Sequence, residues 1–197
     1  MRSYILYSLV FGAVLIAAYG ISEYWASKIY PQSQQPNNIG APFSLVTHTG
    51  MAITQDAFKK SPSVVFFGFT HCPEICPTTL NDLSHLHDRL AQEGGDFQIF
   101  FITLDPVRDT VELLGAYIPY FGPAITGITG PEDEVHALAK AWGIFWQKSN
   151  ITDQGYSIDH TATVFMLDKQ GQFKGTIDYH ESQDIAYLKL KRLTGLN

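Results

Sequence analysis

The sequence predicts a three-layer α/β sandwich with a mixed sheet. Three observations carry that expectation. Two continuous apolar runs, Ser63 to Phe69 (SVVFFGF) and Phe97 to Leu104 (FQIFFITL), read as strands buried on both faces. Each is followed by a stretch with helical character. Near the C-terminus, Thr161 to Leu167 and Gln172 to Ile177 flank a Lys169-Gln170-Gly171 turn and form an antiparallel pair. Strands joined through helices run parallel and a hairpin runs antiparallel, so a sheet holding both is mixed. With 197 residues, 45% of them hydrophobic, the chain can bury one ordinary core, and its 13 Phe and 10 Tyr exclude a disordered polymer.

From Ala41 the elements alternate. Phe43 to Thr47 and Met51 to Thr54 make a short hairpin around His48-Thr49-Gly50. After the first buried strand a helix opens at Pro77, whose missing N–H costs nothing there, with Leu80, Leu83, Leu86 and Leu90 on one face. Gly94-Gly95 ends it. After the second buried strand, Asp109-Thr110-Val111-Glu112 has the form of a capping box and starts a helix running to about Tyr120. Ala124 to Thr129 is a third strand. Pro131-Glu132-Asp133-Glu134 opens another helix, with acids at the positive end of its dipole. The antiparallel pair follows, and Asp184 to Leu193 closes the domain as a helix.

The only two cysteines, Cys72 and Cys76, lie between the first buried strand and its helix. A cysteine pair at that junction is the thioredoxin-like arrangement. The helix N-terminus favours thiolate, which is both the nucleophile of disulfide exchange and a ligand for soft metals. A C-x-x-x-C pair can close into a disulfide if its Cα atoms come within about 7 Å. It can equally chelate one metal ion. A purely stabilising disulfide is the weakest reading, since so short a loop adds little. Functional groups in such sheets gather beyond the C-terminal ends of parallel strands, which places Cys72, Cys76 and the loop Asp105 to Asp109 in one crevice.

A third metal ligand must come from elsewhere. Among the seven histidines, His85, His87 and His136 fall inside helices, His48 sits at a hairpin tip, and His180 lies near a helix cap. His71 adjoins Cys72 and is a secondary candidate, because adjacent residues point apart. His160 stands in Asp159-His160-Thr161, just before the expected strand Thr161 to Leu167. In a thioredoxin-like sheet that strand start lies beside the cysteine turn, which favours the ligand reading. Asp159 is a partner that would orient the site. Asp105, Arg108 and Asp109 read as a cap and an ion pair, and Met51 and Met166 as core. Two thiolates and one imidazole suit Cu(I), and the same set binds zinc in some sites with an open fourth position.

The N-terminus is expected to lie outside this domain. Tyr4 to Ile21 carries no charge, and eighteen residues at ~1.5 Å each reach roughly 27 Å, close to the hydrocarbon thickness of a bilayer. Arg2 precedes the run, so the positive-inside rule puts the N-terminus in the cytoplasm and the remainder outside. Residues 1–25 therefore read as one N-terminal transmembrane helix, 26–40 as a polar linker, and 41–197 as the thioredoxin-like domain. A cleaved signal peptide is the rival, but the apolar run exceeds the usual ~7–15 residues. The net charge of −6 with no basic cluster argues against nucleic acid as a partner.

Three motifs in order resemble the SCO/SenC family of membrane-anchored copper-delivery proteins. They are Gly68-Phe69-Thr70-His71-Cys72-Pro73-Glu74-Ile75-Cys76-Pro77, then Ile102-Thr103-Leu104-Asp105-Pro106 with Arg108-Asp109-Thr110, then Ile158-Asp159-His160-Thr161. The resemblance implies a thioredoxin-like fold and one copper ion, Cu(I) or Cu(II), held by Cys72, Cys76 and His160. It implies delivery of that copper to cytochrome c oxidase subunit II. It also implies, as the alternative, a thiol–disulfide oxidoreductase with Cys72 and Cys76 as its redox pair. Other copper chaperones or thiol reductants would be further partners. The implied location is a bacterial inner membrane, or the mitochondrial inner membrane, with the C-terminal domain facing the periplasm or intermembrane space.

Overall fold

The computed structural model describes Gly20, Ile39, residues 41–152 and residues 155–196. The expected anchor and linker lie, but for Gly20 and Ile39, outside the described residues. Among the described residues no helix is long and apolar enough to cross a membrane.

Seven strands form one mixed sheet. They are β1 (Ser44–Thr47), β2 (Ala52–Thr54), β3 (Ser63–Gly68), β4 (Gln98–Thr103), β5 (Ile125–Thr129), β8 (Val164–Leu167) and β9 (Phe173–Ile177), in the order β2-β1-β5-β4-β3-β8-β9. Strands β3, β4 and β5 pair in parallel, whereas β1 and β8 flank them antiparallel. All six residues of β3 are buried, as a strand covered on both faces requires.

Alternation along β3 and β4 divides the interior in two. Val64, Phe66, Ile99 and Phe101 face one core, with Leu80, Leu83, Leu86 and Leu90 of α1 (Ile75–Ala91) and Ala186, Tyr187 and Leu190 of α4 (Gln183–Leu193). Val65, Phe67, Phe100 and Ile102 face the other, with Val135, Leu138 and Ala139 of α3 (Glu132–Ala141) and the fully buried Trp142. Helices on both faces of the sheet make the three layers that the strand–helix alternation predicts.

Several boundaries differ, each for a local reason. Helix α1 opens at Ile75, two residues before Pro77, and Pro77 is tolerated because first-turn N–H groups have no intrahelical acceptor. The N-cap of α2 (Val111–Tyr117) is Thr110, whose hydroxyl accepts from Leu113 N at 3.3 Å. Asp109, read as part of a capping box, is instead fully buried and bonded elsewhere. A 3-10 turn, Ile118–Phe121, follows α2. Met51 is 64% exposed and is no core residue, whereas Met166 is buried. The largest difference is a hairpin that apolar periodicity does not announce. Strands β6 (Trp146–Thr152) and β7 (Gly155–His160) form a separate two-stranded sheet of mostly polar, half-exposed residues. His160 therefore ends β7; it does not start a strand of the main sheet, since β8 begins only at Val164.

Candidate metal centre

Strand β3 ends at Gly68, and the chain turns through Phe69–Glu74 into α1. No side chain caps that helix in the usual way, because Glu74 at the N-cap makes no capping bond. The Cys72 sulfur takes that place, accepting from Cys76 N at 3.4 Å. Cys76 points inward and is fully buried, while Cys72 is partly exposed. Gly68 lies directly beneath: a Cβ there would stand 2.8 Å from Cys76 Sγ. An isolated glycine inside a strand often marks such a close approach, and this was the available sequence signal.

The hairpin brings His160 to the same place. Its Nε2 lies 3.6 Å from Cys76 Sγ, and the two sulfurs and one imidazole nitrogen lie within 4.8 Å of one another. Nδ1 of the ring lies 2.9 Å from the Thr161 carbonyl oxygen, so Nδ1 carries the proton and Nε2 is free to ligate. The ring is braced by the edge of Phe69, centroid to centroid 5.8 Å. Asp159, the expected orienting residue, instead accepts from Ser149 Oγ at 3.0 Å, and the bond to the ring comes from Thr161. Alternation in β7 accounts for this, since neighbouring side chains leave on opposite faces. His71 turns to Thr70 Oγ1, 3.0 Å away, and the other histidines stand elsewhere. His48 Nδ1 accepts from Gly127 N, and His136 Nε2 lies 3.2 Å from the Leu104 carbonyl oxygen.

The two thiols divide their acidity. Cys72 is lowered to about 4, first by the hydrogen bond from the Cys76 thiol and then by the amides of Cys76 and Glu74, against the cost of burial. Cys76 is pushed far up by its bond to the Cys72 sulfur, by burial and by the neighbouring negative charge. The reduced pair thus holds one thiolate at the surface and one thiol beneath it. Cys72, Glu74, Ile75, Asp159 and His160 line an open cavity of about 350 Å³ beside that thiolate.

The loop after β4 lies alongside, as the position beyond parallel strand ends requires. Buried Asp109 accepts from Thr70 N at 3.0 Å, Thr70 Oγ1 at 2.5 Å and Thr103 Oγ1 at 2.6 Å. Burial raises its carboxyl above the usual range against those hydrogen bonds. Asp105, also buried, pairs with Arg108 Nε and accepts from Tyr156 Oη at 2.7 Å. Tyr117 adds a buried hydroxyl with no hydrogen-bond partner among the described residues, its acidity suppressed first by burial and then by negative charge in the cysteine pair. Tyr117 and Tyr156 carried no sequence signal, because neither falls in a motif.

The family model described as SCO1/SenC matches residues 31–195. The chain belongs to the SCO1/SenC family. Among its relatives, a SCO2-like protein of Rickettsia prowazekii is 37% identical over 68% of this chain and 67% of its own length. The mitochondrial SCO1 homologue of Homo sapiens is 32% identical over 85% of this chain and 57% of its own length. The chain thus spans little more than half of that human relative. Two solved family structures share the fold. The copper-bound ScoI of Arabidopsis thaliana superposes with a TM-score of 0.73 at 29% identity, covering 78% of this chain and 99% of that one. Copper-bound yeast Sco1 gives 0.73 at 31% identity, covering 79% and 87%.

Proposed function

We propose that this SCO1/SenC protein is a copper chaperone. It binds one copper ion through Cys72, Cys76 and His160 and passes it to the copper centre of cytochrome c oxidase subunit II. The observation that carries the reading is the approach of His160 Nε2 to within 3.6 Å of Cys76 Sγ, across 84 residues of chain. Two sulfurs and an imidazole are a soft donor set suited to Cu(I). Two relatives of similar fold are described as copper-bound. Copper is the cargo here, and an open cavity over Cys72 gives an acceptor's ligands a route to it by stepwise exchange.

The chain's own residues prepare that exchange. Cys72 is already a thiolate and binds without losing a proton, whereas Cys76 must give up its proton as the metal arrives. The Thr161 carbonyl holds the imidazole proton on Nδ1, so Nε2 is presented as a lone pair. Tethering by residues 1–40 to the outer face of a membrane would keep the domain near a membrane-bound oxidase.

The second reading is a thiol–disulfide oxidoreductase. The division of acidity favours it, since a partly exposed low-pKa thiolate beside a buried thiol is a nucleophile with a resolving partner. His160 separates the two. Exchange needs only two sulfurs, whereas a three-donor site needs the imidazole. His160→Ala is expected to keep the fold and the Cys72–Cys76 couple, to weaken copper retention at least tenfold and to abolish oxidase assembly in cells. Normal assembly with His160→Ala, together with failure of Cys72→Ser, would establish the reductase in place of the chaperone.

A further inference from the structure

The histidine arrives on an element that cannot hold itself in place. Strands β6 and β7 pair only with each other among the described residues, and most of β6 is exposed. A lone two-stranded hairpin is marginal in water. The gap between His160 and Cys76 is therefore set by what grips the hairpin from outside. Ile158 anchors one face in the core, and Trp146, the residue opposite His160, stacks on His136 at 4.9 Å. Polar grip comes from the Asp105–Asp109 turn, through Arg108 and Asp105. Arg108 donates from Nη1 to the Tyr156 carbonyl at 2.8 Å and lies over the Tyr156 ring at 3.7 Å, while its Nε pairs with Asp105. Tyr156 closes the ring of contacts by donating its hydroxyl to Asp105 at 2.7 Å.

The same turn also holds the thiols. Asp109 takes the backbone N–H and the hydroxyl of Thr70, two residues before Cys72, and the Thr103 hydroxyl from the end of β4. The turn itself is stiffened by the Arg108 and Asp109 amides, which donate to the Asp105 carbonyl at 3.1 and 2.8 Å. Burying two carboxylates beside a partly buried guanidinium is costly, and among the described residues the buried Arg108 Nη2 has no hydrogen-bond partner. Such a cluster is a poor source of stability but a good source of fixed geometry, because its partners admit few alternative arrangements.

We propose that the turn Asp105–Asp109 is the common mount of the metal centre, holding the cysteine loop through Asp109 and the histidine hairpin through Arg108 and Asp105. Arg108 is a positioning residue: it touches no ligand atom and acts on copper only through His160. The inference rests on the copper-binding reading above. Arginine suits the task because its planar fork bonds in two directions while its face stacks, which a lysine cannot reproduce.

The test is a double-mutant cycle on the full chain in detergent, reduced, loaded with Cu(I) under anaerobic conditions, and mixed with a colorimetric Cu(I) chelator. Arg108→Ala is expected to speed copper release about tenfold, the scale of one lost charge-assisted hydrogen bond. His160→Ala should do at least as much, and the double variant should release no faster than His160→Ala alone. Arg108→Lys should stay closer to Arg108→Ala than to the parent. Release by Arg108→Ala at the parental rate, or multiplication of the two effects in the double variant, overturns the mount. If His160→Ala itself releases copper at the parental rate, the copper reading fails instead. The mount is then judged by amide hydrogen exchange in the metal-free protein. Arg108→Ala should speed exchange across residues 146–160 about tenfold and leave β3 and β4 unchanged, and unchanged hairpin exchange overturns it. Should Arg108→Ala not fold, Tyr156→Phe removes only the hydroxyl on Asp105 and should move both readouts the same way by about twofold to fivefold.

Discussion

Replacing Gly68 by alanine sets two opposed effects against each other at the floor of the site. Gly68 lies in β3 and does not adopt a left-handed φ, so alanine fits its backbone. With free space, that change would stabilise the protein by about 0.4–1 kcal/mol by restricting the unfolded chain. Space is absent. The new methyl would stand 2.8 Å from Cys76 Sγ and 2.8 Å from Phe101 Cε2. Ordinary carbon contacts are about 3.5–4.0 Å, so each overlap is on the order of 0.7 Å or more. Cys76 and Phe101 are both fully buried, and a close-packed interior does not absorb such a shift freely. Overpacking of this kind costs typically about 1–3 kcal/mol, which exceeds the entropic gain. The expected net effect is a destabilisation of about 1–2 kcal/mol. It is read as a lowered denaturant midpoint at unchanged m-value in the reduced, metal-free chain. The displaced sulfur also leaves its place 3.6 Å from His160 Nε2, so copper retention should fall in the same variant. An alanine variant as stable as the parent, or more so, would refute the close-packed placement of Cys76.

The remaining predictions concern the thiols, the mount and the chain's topology. Cys72 reacts as thiolate and its pKa lies at about 4, so its alkylation rate should stay level from pH 8 to 5 and fall only as pH drops through 4. An ordinary thiol near pKa 8.5 would instead slow about tenfold per pH unit over that range, and mass spectrometry of the trapped adduct separates the two cases. Cys76→Ala removes the largest cause of that acidity, so the onset of Cys72 alkylation should move to higher pH. Asp109→Ala strands the Thr70 N–H and the Thr103 hydroxyl in the interior and should cost about 1–3 kcal/mol in chemical denaturation, more than a surface Asp→Ala such as that at Asp133. A reporter enzyme fused after Tyr30 is expected to work only in its exported form, and cytoplasmic activity would reverse the proposed topology.

The sequence by itself determined the layers, the parallel centre of the sheet and the junction that carries Cys72 and Cys76. These are readable because burial on two faces leaves a continuous apolar signature in Ser63–Gly68 and Gln98–Thr103, and because Leu80 to Leu90 repeat with the helical period. His160 was also legible as a ligand candidate, but from the wrong element. Strands β6 and β7 are polar and half-exposed, so they carry no alternation to detect, and the Arg108 contact that helps to place the hairpin comes from 48 positions away. Asp109 shows the limit most plainly. Its sequence context satisfies a helix-cap pattern, yet Thr110 caps the helix and Asp109 is drawn inward by Thr70 and Thr103. Local patterns reveal what a segment can do with its own backbone. Only tertiary structure decides which donors arrive from elsewhere, and a buried carboxylate goes to the donors that offset its desolvation.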